Sequence, residues 1–341
     1  MHPNRRQFLA RFLGRFLGRF LGQFLGHCAV AAVATVAMTA SPLAMAQDKP
    51  ITIVVGSPAG GTTDALARLI ARSMGDSLHR TVVVDNRPGA GGNIAAQYVA
   101  RSTPDGSTLL MSFTGHTINA SLYKNLPFDA VRDFTPITMV ARVPSVLVAR
   151  KNAPFDTTAG LIDYAKRNPG KLSFAIGAQG SSLHLASEQF KLQTGTDILN
   201  IPYKGTNPAL TDLLGGTVDL MFASTVNVLP HARSGAIKIL GVSSKDPLPQ
   251  FPGVPAIAAT VKGFESSAWF GLFGPAKLPP ATVDQLYRAV RVAVEDPAYR
   301  QRMETEAATA VSMTPQQFGQ FVRNDIQHWA KVIQASGTKV E

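Results

Sequence analysis

Ile51-Thr52-Ile53-Val54-Val55-Gly56-Ser57-Pro58-Ala59-Gly60-Gly61-Thr62-Thr63-Asp64-Ala65-Leu66-Ala67-Arg68-Leu69-Ile70 is the stretch on which the fold turns. Its first five residues, mostly β-branched and closed off by Gly and Pro, read as a buried strand. Residues 64–74 set Ala65, Leu66, Leu69 and Ile70 on one face of a helix. The glycines of the intervening loop allow a close backbone approach to a ligand. The first-turn N–H groups and the helix dipole favour an anion there, and Thr62 and Thr63 add hydroxyl donors. A plain turn capped by Asp64 or a threonine uses the same residue types, and the loop by itself does not separate the two readings.

Outward from this stretch the alternation continues. A strand over 81–84, a helix over 93–100 and a strand over 108–111 extend the first strand and helix into a βαβαβ unit, whose right-handed crossovers imply a parallel sheet covered on both faces. A second series runs from a strand at 146–149 through helices at 158–167, 183–193, 208–214 and 226–234, with strands at 172–176, 198–201, 218–222 and 237–242 between them. A Pro/Gly-rich passage over 246–263, an aromatic strand over 268–274 and three helices follow. Those helices have no strands of their own to cover and are expected to return to the first unit. The fold class is therefore α/β, with residues 47–145 and 245–341 forming one discontinuous domain and 146–244 a second. Ligands of such sheets bind outside the carboxyl ends of the strands, which here means the cleft between domains.

The 341 residues carry a formal charge of +11, from 33 Lys and Arg against 22 Asp and Glu. That excess invites a nucleic-acid reading, but residues 1–46 hold Arg5, Arg6, Arg11, Arg15 and Arg19 and no acid. Without them 28 basic residues face 22 acidic ones. The leader reads as an export signal: a basic start, an uncharged run from Cys28 to Met45, and Ala44-Met45-Ala46 before a cleavage point at Gln47. Asn4-Arg5-Arg6-Gln7-Phe8-Leu9 is similar to a twin-arginine motif. Phe8, Phe12, Phe16, Phe20 and Phe24 recur every fourth residue, as expected of repeat expansion in a tolerant signal. The apolar run is shorter than the ~20 residues of a membrane span. Cys28 is the only cysteine, so disulfides, thiol catalysis and cysteine-bound metal are not expected in a mature chain.

Enzyme signatures are missing from the sequence: no G-x-S-x-G elbow, no P-loop, no H-E-x-x-H, and no histidines at metal-ligand spacing. Neither a cofactor nor a metal is expected. Gly89-Ala90-Gly91-Gly92 follows the second strand rather than the first and reads as a tight turn. A second loop of anion-binding design, Gly177 to Ser182, opens the helix carrying His184. Gly180, Ser181 and Ser182 supply neutral donors, and His184 could add one or be a satisfied surface histidine. Tyr203 and Lys204 follow the strand at 198–201 and either line the cleft or pair a core tyrosine with a solvated lysine. Ser112, Thr114 and Ala223 also end strands on the binding edge. Two such loops, facing one another, suit a molecule with an anionic group at each end.

These segments resemble the Bug family, the extracytoplasmic solute receptors of tripartite tricarboxylate transporters. The likeness is carried by Pro58-Ala59-Gly60-Gly61-Thr62-Thr63-Asp64, Asp85-Asn86-Arg87-Pro88-Gly89-Ala90-Gly91-Gly92-Asn93, Pro104-Asp105-Gly106, Asp133-Phe134-Thr135-Pro136, Asn168-Pro169-Gly170-Lys171-Leu172, His184-Leu185, Pro202-Tyr203-Lys204-Gly205, Asp212-Leu213-Leu214-Gly215-Gly216 and Trp269-Phe270-Gly271-Leu272. The resemblance implies a two-domain periplasmic-binding-protein fold of the Venus-flytrap type II kind. Such a receptor closes on a small carboxylate and delivers it to membrane transporter subunits, acting as a monomer without nucleic acid. It implies one carboxylate on Gly60, Gly61, Thr62, Thr63 and Asp64, and the far end of the ligand near Gly180, Ser181, Ser182, His184, Tyr203 and Ala223. Ile176 and Leu183 replace hydroxyl residues common in the family, and Ala223 replaces a common Asp, which points to a ligand without a cationic amine. A sensory receptor for a membrane kinase and an exported α/β enzyme are the alternatives.

Overall fold

The computed structural model describes residues 49–177, 179–305 and 307–339. The expected leader, with Cys28, lies outside them. Lys49–Glu341 packs as one compact unit. In chain order the elements are β1 Ile51–Val55, α1 Thr62–Leu78, β2 Val82–Asn86, α2 Asn93–Ala100, β3 Thr108–Phe113, α3 Gly115–Leu122, β4 Phe134–Arg150, α4 Thr158–Arg167, β5 Ser173–Ile176, α5 Ser182–Thr194 and β6 Leu199–Pro202. Then follow α6 Thr206–Gly215, β7 Leu220–Ser224, α7 Thr225–Arg233, β8 Ile237–Val242, β9 Ser267–Pro275, α8 Pro280–Glu295, α9 Pro297–Thr305, β10 Thr309–Ala310 and α10 Pro315–Ser336.

The strands are ordered β2-β1-β3-β9-β4-β7-β5-β6, with β8 and β10 also on β4. Neighbours among β1, β2 and β3 and among β5, β6 and β7 run parallel, as βαβ crossovers require. β9 is antiparallel to β3 and β4, and β4 is antiparallel to β7, β8 and β10, so the sheet is mixed. Apolar clusters cover both faces of each half. In the first half, α1, α8 and α9 pack Leu66, Ile70, Leu286, Val290 and Tyr299 on Ile51, Ile53 and Met111, while α2 and α10 set Ala96, Val99 and Phe318 on Val54, Leu110 and Phe273. In the second half, α4 and α5 cover Phe174 and Phe222, and α6 and α7 cover Val148 and Met221. The terminal helices α8 and α9 thus pack on the first half of the sheet.

β4 is the element that the sequence obscured. It runs unbroken for 17 residues, whereas periodicity marked only 146–149. Pro136 and Pro144 remove N–H donors and mask the pattern. The register against β9 shifts between Pro136 and Thr138 and again between Met139 and Ala141, which lets the strand absorb irregularities along its length. Its first part pairs with β9 as far as Pro144 opposite Ser267, and its last part pairs with β7 from Ser145 opposite Ser224. At that changeover three buried serines interlock. Ser145 N donates to Ser243 Oγ at 2.8 Å, Ser243 N donates to Ser145 O at 2.8 Å, and Ser243 Oγ donates to Ser266 O.

α10 reaches both halves of the sheet. Its N-terminal part packs in the Trp269 and Phe273 cluster, while Trp329, Val332 and Ile333 meet Ile118 and Leu122 of α3 and Leu185 of α5. Asp325 on α10 accepts from Thr117 Oγ1 at 2.6 Å and Trp269 Nε1 at 2.8 Å, and His328 Nε2 lies 3.2 Å from Gln189 Oε1 on α5.

Candidate functional site

The loop after β1 is built for close backbone approach. A Cβ on Gly56 would stand 2.7 Å from the Cα of Gly92, so the loop at 88–92 presses directly on it. Gly61 is the N-cap of α1 and makes no side-chain cap bond, which leaves the amides of Thr62 and Thr63 without a partner inside the helix. Asp64, at the third helical position, folds back to accept from Gly60 N at 2.9 Å, and it also pairs with Arg68. The bond from Arg68 and the one from Gly60 hold its carboxyl below its ordinary value against the opposing effect of burial. Asp64 is therefore held as a brace of the loop by Gly60 and Arg68.

The loop before α5 has the same design by other means. Gly180 sits at φ 75°, in the left-handed region that glycine tolerates. Ser181 is the N-cap and its Oγ accepts from His184 N at 3.2 Å. His184 is buried. Its Nδ1 accepts from Gly180 N at 2.9 Å, and its Nε2 lies 3.5 Å from Glu188 Oε1. Burial pushes the Glu188 carboxyl up, but bonds from His184, Lys191 and Asn200 outweigh it and hold the pKa at about 2.

Between the two loops lies a cavity of about 160 Å³ lined by Thr62, Val143, Pro144, Ser145, Ser182, Leu183, Ser224, Ser266, Ala268 and Phe270. Three helix starts meet it: Thr62 of α1, Ser182 and Leu183 of α5, and Ser224, the N-cap of α7, whose side chain makes no cap bond. No lining side chain carries a charge. Five hydroxyls and the helix ends supply donors, and Val143, Pro144, Leu183, Ala268 and Phe270 supply an apolar middle. Such a surface suits an anion with a hydrocarbon body, because partial positive charge comes from oriented amides rather than from a cation.

The sequence-selected residues divide around this cavity. Thr62 and Ser182 line it, Gly60, Gly61 and Thr63 shape the first loop beside it, and Gly180 and Ser181 shape the second. Others face elsewhere. Ala223 is fully buried in the cluster of Val146 and Val148, and its neighbour Ser224 takes the cavity position. Tyr203 donates to Asp212 at 2.7 Å; burial and then Asp212 raise its pKa to about 12. Lys204 is exposed and outside the lining. Ser112 is buried opposite Gly271, and Thr114 Oγ1 accepts from Trp269 N at 2.9 Å. Sequence reading missed Ser145 and Ser266 and the apolar wall from Val143, Pro144, Ala268 and Phe270. These residues sit in β4, in β9 and just before β9, where no turn or helix start marks them; only the aromatic run at 269–270 gave a cue.

Among the described residues no group of three His, Cys, Asp or Glu could hold a metal, and no helix is long and apolar enough to cross a membrane. The sequence matches the model of the family described as "Tripartite tricarboxylate transporter family receptor" over residues 66–338. Protein BugT of Bordetella pertussis is 39% identical over 296 residues, covering 86% of this chain and 91% of that protein. Among solved structures, the periplasmic binding protein BugD superposes with a TM-score of 0.71 at 35% identity, covering 86% of this chain and 99% of that one. The R. palustris protein Rpa4515, solved with adipate, gives 0.73 at 35% identity, covering 85% and 98%. MatC of Rhodopseudomonas palustris, with bound malate, gives 0.69 at 31%, covering 83% and 98%. The chain belongs to the tripartite tricarboxylate transporter receptor family, the Bug-type periplasmic solute-binding proteins.

Proposed function

We propose that this receptor captures a short organic acid, a dicarboxylate or hydroxy acid without a cationic amine, in the cavity between the halves of its sheet. The observation that carries this reading is the lining itself: three helix N-termini, five hydroxyls and an apolar middle, with no charged side chain. Each helix end contributes roughly half a positive charge, so the three together offset most of the charge of two carboxylates without a lysine or arginine. An ammonium group in the same cavity would meet positive dipole ends and no acid. The volume of about 160 Å³ is that of roughly five water molecules, the scale of a short acid and well below a drug-sized pocket. The bound adipate and malate of two relatives fit the same chemistry.

Capture is the role of the receptor family to which the chain belongs. The lining hydroxyls of Thr62, Ser145, Ser182, Ser224 and Ser266 stand among no histidine, lysine or carboxylate, a setting that supports binding through neutral donors. Closure of the two halves about β4 and the 243–267 connection would hold the ligand and create the surface that transporter subunits recognise. Export to the periplasm rests on the leader over residues 1–46, and one copy suffices for the site.

Calorimetry with succinate, malate, adipate, aspartate and succinamide tests the reading. The three plain acids should bind, and aspartate should bind more weakly than succinate. Preference for the uncharged diamide, or for aspartate, would overturn it.

A further inference from the structure

We infer that His184 is a positioning residue. Held as the Nε2–H tautomer by Glu188, it fixes the Gly180 turn through its Nδ1 lone pair and so aims the free first-turn amides of α5 at the ligand. This rests on the carboxylate-capture reading above and names a residue that acts on the site without touching its occupant.

Nδ1 is 2.9 Å from Gly180 N, and the backbone N–H can only donate, so Nδ1 must carry the lone pair. A neutral ring then bears its hydrogen on Nε2, which lies 3.5 Å from both Glu188 Oε1 and Asn200 Nδ2. Glu188 is in turn fixed by Lys191 Nζ at 2.8 Å and by a bond from Asn200, and Lys191 Nζ also reaches Asn200 Oδ1 at 3.1 Å. The charged groups on the Nε2 side are thus Glu188 and, beyond it, Lys191, both on α5. β6 brings the neutral Asn200, and α10, packed on Leu185, brings His328 against Gln189.

With its N–H consumed by the ring, Gly180 keeps its left-handed turn, and the adjoining Ser181 caps the helix through its own Oγ. Ser182 and Leu183 are then the first helical residues. Their amides have no intrahelical acceptor, and both residues line the cavity. Without the ring, Gly180 N–H loses its buried acceptor and the turn relaxes toward water. The donors that face the ligand lose their aim while α5, anchored by Leu185, Ala186 and Phe190, stays folded.

The test combines spectroscopy and three variants, with succinate, malate and adipate as probes. Nitrogen-15 spectra of the wild-type imidazoles at neutral pH should show the Nε2–H tautomer for His184. His184→Asn places an amide oxygen near the Nδ1 position and should keep affinity within about threefold. His184→Gln reaches toward Glu188 but not toward Gly180, and His184→Leu offers no acceptor; each should weaken binding about tenfold or more, the worth of one hydrogen bond. Melting curves confirm that each variant folds. An Nδ1–H or doubly protonated ring, wild-type affinity in the leucine variant, or equal losses for asparagine and glutamine would each overturn the inference. Failure of the wild-type protein to bind any of the three acids would instead overturn the receptor reading.

Discussion

At the scale of single residues, Gly61 separates binding from folding. Its φ of −79° suits any residue, and a Cβ there meets nothing closer than Pro58 O at 3.5 Å. Aspartate is also a favourable N-cap. Gly61→Asp should therefore leave the melting temperature within about 2 °C of wild type, in the absence of ligand, while adding a like charge at the anion site. It should cost at least about a hundredfold in affinity, near 3 kcal/mol, by calorimetry. Glu188 supplies a pH signature. Its carboxyl falls from 4.5 to about 2 on folding, so its contribution is complete above the unfolded value and disappears as pH drops toward 2. That lowering corresponds to about 3 kcal/mol. Glu188→Gln should melt about 5 °C lower at neutral pH, and the gap should close near pH 2 to 3 in a thermal series. An undiminished gap at low pH would mean that packing, not charge, sets the loss.

At the scale of elements, β4 and α10 decide how the halves are joined. Ser243 Oγ is at once the acceptor for Ser145 N and a donor to Ser266 O. Ser243→Ala leaves a buried backbone donor unpaired, a loss of about 1 to 3 kcal/mol that should lower the melting temperature by several degrees. It removes no cavity-lining side chain, so any change in ligand affinity would report the junction itself. In α10, Trp329 is 2% exposed and packs with residues from α3 and α5. Trp329→Ala should cost about 3 to 5 kcal/mol, read by chemical denaturation. The sequence placed three helices after the aromatic strand and expected them on the first unit, yet did not show α10 bridging the two halves, because Ile118, Leu122 and Leu185 lie far away along the chain. α3 itself escaped notice: it has eight residues, begins at a glycine, and follows a threonine that caps nothing.

At the scale of the whole molecule, the proposed capture of an acid would couple the halves. A ligand at a hundred times its dissociation constant should stabilise the protein by about 2.7 kcal/mol, visible as a higher melting temperature. If the halves close about the β4 junction, succinate or adipate should also reduce the radius of gyration in solution scattering. An unchanged radius with a raised melting temperature would place capture in an already closed form. The basic excess has a bounded role at this scale. Five of the arginines fall within residues 1–46, and the remaining 28 basic residues against 22 acidic ones bring only a mild attraction for acidic solutes.

The sequence by itself determined the parallel βαβ units, the two glycine-rich loops at helix starts and the scarcity of catalytic groups. Periodicity, turn chemistry and helix capping are local, so they are written within a few residues of one another. It also marked Thr62 and Ser182, which lie on such loops. Only the tertiary structure decided that Ser224 rather than Ala223 meets the cavity, since one residue along a strand exchanges the two faces of the sheet. His184 turns to Gly180 and Asp64 to Gly60 and Arg68, contacts four residues apart that belong to the local geometry of each loop. The apolar wall from Val143, Pro144, Ala268 and Phe270 exists because β4 and β9 pair antiparallel across more than a hundred residues of intervening chain, a juxtaposition no local pattern records.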